Sequence, residues 1–269
     1  MKKRTGNHSK KGKKRLRLWV LLAALFLTGC GNSAESTDQT DRTDQTDQTE
    51  GTGAGNKTEA AAALSDLTAA KAGSLITFGH YEQDNDTSNG KEPIEWIVLE
   101  KREDGSLLVL SRYALDVQPF HTDFKSVSWR TCTLRKWLNS TFTNTAFSSD
   151  ELAVISTDNP SNAEVSSYEA NAEDRVFLLT ILDAREYFAN DADGNSAART
   201  CRPTAYAKAQ GLWTFEGDAF DGNCRWWLRS PGDDALNAAY VGFNGRVYNF
   251  GRTVNHDDTA IRPALVIKP

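Results

Sequence analysis

Residues 73–269 predict a single domain that mixes helices with strands, and three observations carry that expectation. A strand, turn, strand signal runs from 93 to 111, one apolar stripe at helical spacing lies between 131 and 142, and beyond 211 the chain shows only short strands and irregular stretches. The 197 residues suit one large domain or two small ones, and no Pro/Gly/Ser-rich linker divides them.

The elements follow in order. Pro93–Glu100 and Ser106–Ser111 flank Glu103-Asp104-Gly105, a hairpin signal. Both strands are apolar on successive residues, so both are expected to be covered on two faces. Leu134, Trp137, Leu138 and Phe142 fall at offsets of 0, 3, 4 and 8 and predict a helix over 131–142. Ser148 followed by Glu151 is a capping box that opens a second, short helix. Arg175–Leu179 is strand-like, and Thr180 with Asp183 caps a helix reaching about Ala189. Thr204–Gln210 adds one or two helical turns, stopped by Gly211. Asn244-Gly245 makes a hairpin of 238–242 and 246–248. A two-residue turn would put Val241 and Val247 on opposite faces. A three-residue turn with Gly245 left-handed puts both valines on one face and gathers Tyr240, Gly242, Arg246 and Tyr248 on the other, which suits a half-buried sheet better. Ile261–Ile267 reads as one closing strand.

Before the domain come two segments of different chemistry. Residues 1–29 hold nine basic side chains and no acidic one, then ten apolar residues, Leu18–Leu27, then Thr28-Gly29-Cys30. Ten residues cannot cross a hydrocarbon layer of roughly 30 Å, which needs about 20 in a helix, but they fit the apolar part of an export signal. Leu27-Thr28-Gly29-Cys30 resembles the bacterial lipobox, which implies that Cys30 carries diacylglycerol, whose two acyl chains (palmitate) anchor it, and that the protein is a lipoprotein facing outside the cytoplasm. Residues 30–72 are rich in Thr, Asp, Gln and Gly, with a repeated Thr-Asp-Gln unit, and offer nothing to bury: they read as a disordered tether spanning roughly 35 Å on average. Ala60–Ala72 has helix-forming composition at its end.

Charge narrows the function. Removing the first 29 residues leaves 22 basic and 36 acidic side chains, a net charge of −14, which would repel a nucleic acid. Seven Trp, six of them beyond residue 29, and 39% hydrophobic residues over the whole chain still supply a core, so a fully disordered chain is excluded.

Four ordered motifs carry a resemblance: Trp129–Asn139, Pro203–Gly211, Trp226-Trp227-Leu228-Arg229-Ser230-Pro231-Gly232 and Arg262-Pro263-Ala264-Leu265. Together they resemble a bacterial domain family of unassigned function that is common in surface lipoproteins. It is similar in turn to the C-type-lectin-like variable proteins diversified by retroelements, and remotely to formylglycine-generating enzymes. The resemblance implies an α+β, C-type-lectin-like head with two main helices packed on twisted antiparallel sheets. It also implies a frame of Trp226, Trp227, Arg229, Pro231, Arg262 and Pro263. On that frame the ligand-binding face would comprise Asp233, Asp234, Asn237, Tyr240, Phe243, Asn244, Tyr248, Asn249, Asn255, His256 and Asp257. Tyr, Asn and Asp on loops are good contact chemistry, giving area with few rotors and adaptable hydrogen bonds, and the same residue types also dominate turns for backbone reasons.

Other chemistry is thin. Three cysteines remain in the head. Cys132 is expected as a packed thiol, and an exported chain permits a Cys201–Cys224 disulfide worth roughly 3 kcal/mol by chain entropy. The spacing of 201 and 224 departs from the close cysteine pair of formylglycine-generating enzymes. Asp191-Ala192-Asp193-Gly194-Asn195 starts like a calcium loop, but Arg202 stands where a bidentate Glu is required. Asp158-Asn159-Pro160-Ser161-Asn162 resembles the calcium cluster of C-type lectins, displaced along the chain. His8, His80, His121 and His256 are scattered, and no phosphate loop, dinucleotide fingerprint or nucleophile motif is present. The expectation is therefore a non-enzymatic, membrane-anchored binding head, with no cofactor or metal, partnered by membrane lipid through Cys30 and by an extracellular glycan or protein. Two alternatives stay open: a cell-envelope hydrolase with a hidden carboxylate pair, and a structural surface protein without a specific ligand.

Overall fold

The computed structural model describes residues 67–157 and 173–269. The expected export signal, Cys30, most of the expected tether and the Asp158–Asn162 cluster lie outside the described residues. The described residues fall within one compact unit, and the fold described is that of this unit.

The molecule is α+β, with two five-stranded sheets. The first is antiparallel throughout, in the order β1 (Leu75–Tyr81), β2 (Glu92–Lys101), β3 (Leu107–Ser111), β10 (Ala264–Ile267), β5 (Val176–Phe177). The second runs β4 (Asp116–Val117), β9 (Ala260–Ile261), β6 (Trp226–Pro231), β7 (Asn237–Val241), β8 (Val247–Thr253), with β6 and β9 parallel.

Two expectations about the strands are corrected. Every residue of β3 is buried, as its apolar run requires, but β2 alternates: Ile94, Trp96 and Val98 are in the core while Pro93 is exposed and Glu95, Ile97 and Leu99 are half-covered. That strand has one solvated face, so its extra apolar residues lie half-covered rather than in the core. The closing strand is two strands. Ile261 ends β9 in the second sheet, Arg262-Pro263 turns the chain, and Ala264 opens β10 in the first. The proline removes a donor just where ladder pairing changes partners. The β3–β4 connection makes the opposite crossing alongside: the Ser111 N–H donates to the Pro263 carbonyl (2.9 Å), Leu115 N–H to Ile261 (3.0 Å), and Arg262 Nε to the Ser111 carbonyl (3.0 Å).

The stripe at 134–142 forms its helix with a difference. The α-helix α1 (Thr133–Trp137) passes into a π-helical turn, Leu138–Phe142, and on into α2 (Thr143–Ala146). Leu134, Leu138 and Phe142 are buried and Trp137 is partly so. Ser140 and Thr143 hydroxyls donate back to the Lys136 and Leu138 carbonyls (2.6 and 2.5 Å), local competition that accompanies a widened turn. The expected capping boxes are present at α3 (Ser149–Val154), capped by Ser148 and Glu151, and at α4 (Ile181–Glu186), capped by Thr180 and Asp183. Thr204 caps α5 (Ala205–Ala209). Leu67 and Ala70, read from sequence as tether, are core residues. Cys132 is buried, caps α1 through Sγ, and burial pushes its thiol up to about 12.

The core is built around Trp96, Trp129, Trp226 and Trp227, all essentially inaccessible, and each indole N–H finds an acceptor: Phe78 O, Asp174 Oδ2, Arg199 O and Gln118 O. A buried indole left unpaired would forfeit much of what its area gains.

Candidate functional site

The hairpin of β7 and β8 pairs Tyr240 with Tyr248 and Val241 with Val247, and Gly242 with Arg246 closes a three-residue turn in which Gly245 has φ +74°. This is the second of the two registers weighed from the sequence. Both valines turn inward and both tyrosines outward, and the tyrosine rings stack with centroids 4.8 Å apart and planes 5° from parallel. Phe250, 53% exposed, meets Tyr248 edge-on at 5.5 Å. Gly242 makes room for this stack, because a Cβ there would stand 2.5 Å from the Tyr248 ring.

From Tyr240 the surface continues through charged groups. The Arg252 guanidinium lies 5.8 Å from the Tyr240 ring and 2.9 Å from Asp258, and Asp258 is 3.6 Å from Arg225. Arg225 in turn lies over the Trp213 ring, 3.8 Å from its centroid. Burial pushes the Tyr240 hydroxyl up, and it pushes Arg225 down, helped by the like charge of Arg252. Trp213 belongs to a second aromatic group with Phe215, Phe220 and Phe243, in which Phe215 and Phe243 stack 4.1 Å apart. A depression of about 750 Å³ opens beside it, lined by Gly211–Glu216 and Asp258. The result is one surface: two aromatic groups joined by an Arg–Asp–Arg bridge.

The expected ligand residues fall into four places. Tyr240 and Tyr248 form the stack. Phe243 joins the other aromatic group. Asn244, beside it in the turn, donates to Asn195 (2.8 Å) and accepts from the Arg246 N–H (3.2 Å), so its amide is committed to the fold. Asp234 accepts from the Leu236 N–H and the Asn237 amide (2.8 and 2.6 Å), which makes these two a turn, with Asp233 exposed beside them. Asn255, His256 and Asp257 are exposed on the loop after β8, and Asn249 is exposed within β8. Sequence reasoning missed Trp213, Phe215, Arg225, Phe250 and Arg252 as site residues. The alternation Tyr248, Phe250, Arg252 along one strand was the available signal, whereas Trp213 and Arg225 are joined to it only by tertiary placement.

The frame holds the hairpin tip from behind. Arg199, fully buried, donates through Nε to the Gly245 carbonyl (2.7 Å) and through Nη1 to Ala184 and Phe188, while its own carbonyl accepts from Trp226 Nε1 and Arg262 Nη1. Arg262 also lies over the Trp226 ring at 5.0 Å. Trp226, Trp227, Arg229, Arg262 and Pro263 are buried as a frame requires, whereas Pro231 is exposed.

Cys201 and Cys224 are both buried thiols in this structure, held together by a main-chain hydrogen bond from Cys224 to Cys201 (2.9 Å) and by Cys224 Sγ on the Cys201 carbonyl (3.3 Å). Asp191 accepts from the Asp193 and Asn195 N–H groups, an acidic turn. One carboxylate cluster was not foreseen: Glu82, Asp84 and Glu92 bring ligand atoms within 4.8 Å of one another, with Glu92 accepting from the Gln83 and Asp84 N–H groups and Asp84 from the Asn89 amide.

Among known families, residues 104–269 match a domain of unknown function, DUF6273. No curated protein and no solved structure matches the chain.

Proposed function

Because the chain belongs to the DUF6273 family, whose function is unknown, we propose its role from the site itself: a ligand-binding head, carried by a lipoprotein anchored through Cys30 on the outer side of a cell membrane. The fold is read as C-type-lectin-like, with the Trp226–Pro231 and Arg262–Leu265 motifs as the fixed frame and the β7–β8 hairpin as the platform. The ligand is an extracellular glycan or a protein.

One observation supports this reading above the others: the stacked pair Tyr240–Tyr248, continued by Phe250 and by the bridge to Trp213. Aromatic side chains that keep part of their surface in water, on a platform fixed by buried hydrogen bonds, gain when a ligand covers that remainder, and a preorganised surface loses little entropy on binding. The experiment is binding of the full chain, in detergent, to glycan and glycoprotein arrays with calcium and with chelator. Tyr240→Ala combined with Tyr248→Ala is expected to weaken a specific hit roughly 30-fold or more, the size of a truncated hot spot of about 2 kcal/mol, with the thermal melt retained. Unfolding would make the tyrosines core residues. Cleavage of an envelope glycan would favour the hydrolase instead, and a blank from folded protein the structural alternative.

A further inference from the structure

We infer that the ligand of this face is an acidic saccharide whose carboxylate binds between Arg225 and Arg252. The inference rests on the binding-face reading above and adds the chemical class of the ligand.

The charges at the bridge do not balance. Two guanidinium groups share the single carboxylate of Asp258, and the division is unequal: Arg252 Nη2 reaches its oxygens at 2.9 and 3.3 Å, whereas Arg225 Nη1 stops at 3.6 Å, beyond a hydrogen bond. Among the described residues the Arg225 side chain meets the Trp213 face and this distant carboxylate and makes no hydrogen bond. Its side chain is 22% exposed and that of Arg252 14%, so both are partly stripped of water, and Arg252 takes the closer share of the one carboxylate between them. A guanidinium offers five donors in a flat fork that matches a carboxylate, and stacking on Trp213 fixes the plane of that fork. A second carboxylate is the group that fits.

The surroundings select a sugar as its carrier. A depression of about 750 Å³ lined by Trp213, Phe215, Glu216 and Asp258 adjoins Arg225 through Trp213 and Asp258, and the Tyr240 ring of the tyrosine stack lies 5.8 Å from the Arg252 guanidinium. A flat ring beside each guanidinium, Trp213 at Arg225 and Tyr240 at Arg252, suits a chain of pyranose rings with carboxylates at intervals. The head is acidic overall, and Glu216 lines the same depression, so long-range attraction does not bring the ligand in. Selection acts at contact, where charge-assisted bonds are least screened.

The test uses the full chain and calorimetric titration with galacturonic acid oligomers, the same oligomers as methyl esters, and neutral galactose oligomers. The acid is expected to bind roughly tenfold to a hundredfold tighter than its ester, the span of one charge-assisted hydrogen bond. Arg225→Gln should erase that preference, bringing acid and ester to the same affinity. Arg225→Lys, which keeps the charge and loses the fork, should recover only part of it. Asp258→Asn should move the other way and tighten the acid, since it removes the competing carboxylate. Arg225 contributes to the fold through its carbonyl, which accepts from the Ala260 N–H (2.9 Å), so these variants are expected to keep the wild-type melt. Equal affinity for acid and ester, or binding of neutral oligomers alone, overturns the inference and leaves the binding face standing. Failure of every glycan and glycoprotein on the arrays overturns both.

Discussion

At the scale of single residues, Gly245 shows how the platform is held. Its φ of +74° alone favours glycine, but space is the larger constraint, because a Cβ would lie 2.0 Å from the Ser196 carbonyl oxygen. Gly211, with φ +101°, has nothing within 4 Å of the same position. The two separate backbone strain from crowding. Gly211→Ala is expected to cost about 1–2 kcal/mol, the left-handed penalty, and Gly245→Ala about 4 kcal/mol or more, since the turn must also leave the Ser196 carbonyl. Urea unfolding of the two variants checks this, and equal losses would show that the hairpin tip can shift freely. Asn244-Gly245 was legible in the sequence because the turn and the two valines admit few registers. The role of Arg199 was not: nothing local marks a buried arginine whose donors all go to backbone carbonyls and one amide from segments up to 46 residues away.

At the scale of elements, local chemistry was readable and long-range pairing was not. Ser148 with Glu151 and Thr180 with Asp183 sit three residues apart, so their capping needs no knowledge of the fold. β1 was not foreseen, as its residues acquire meaning only against β2. The run 261–267 looked like one strand because apolar residues are wanted in both sheets. The loop between Cys201 and Cys224 carries Trp213, Phe215 and Phe220, one side of the binding surface. Burial alone pushes the Cys201 thiol up, but the Cys224 S–H and the Arg262 guanidinium outweigh it and hold it below the ordinary thiol range. Treatment with oxidised glutathione during refolding, which takes up the two electrons and two protons as reduced glutathione, is expected to close this loop and raise stability by roughly 3 kcal/mol. Cys224→Ala should remove the gain. Identical unfolding with and without reductant would show that the pair stays reduced.

At the scale of the whole molecule, composition spoke more clearly than pattern. The basic and apolar segment ahead of Cys30, and an acidic remainder, point to export and away from nucleic acid before any fold is known. Among the described residues no helix is long and apolar enough to cross a membrane. In the proposed lipoprotein, attachment would rest on the acyl chains expected on Cys30, each buried CH₂ contributing about 0.8 kcal/mol. Cys30→Ala is expected to abolish labelling by a palmitate analogue and release the protein from the membrane fraction. Labelling that persists would exclude Cys30 as the acylation site. The α+β class was visible in the order of elements, but the joining of Trp213, Arg225 and Tyr240 into one surface was not, since their partners come from four separate stretches of chain.

The paired crossings near Ser111 and Pro263 have a mechanical consequence. The chain enters the head next to β1, in one sheet, while the tyrosine stack stands on the other. A ligand fixed to a neighbouring surface would pull on the second sheet, and an N-terminal anchor would hold the first. Shear between them is then borne in part at the seam where Ser111, Leu115 and Arg262 exchange hydrogen bonds. Adhesion under flow would be limited by this seam as much as by the grip on the ligand.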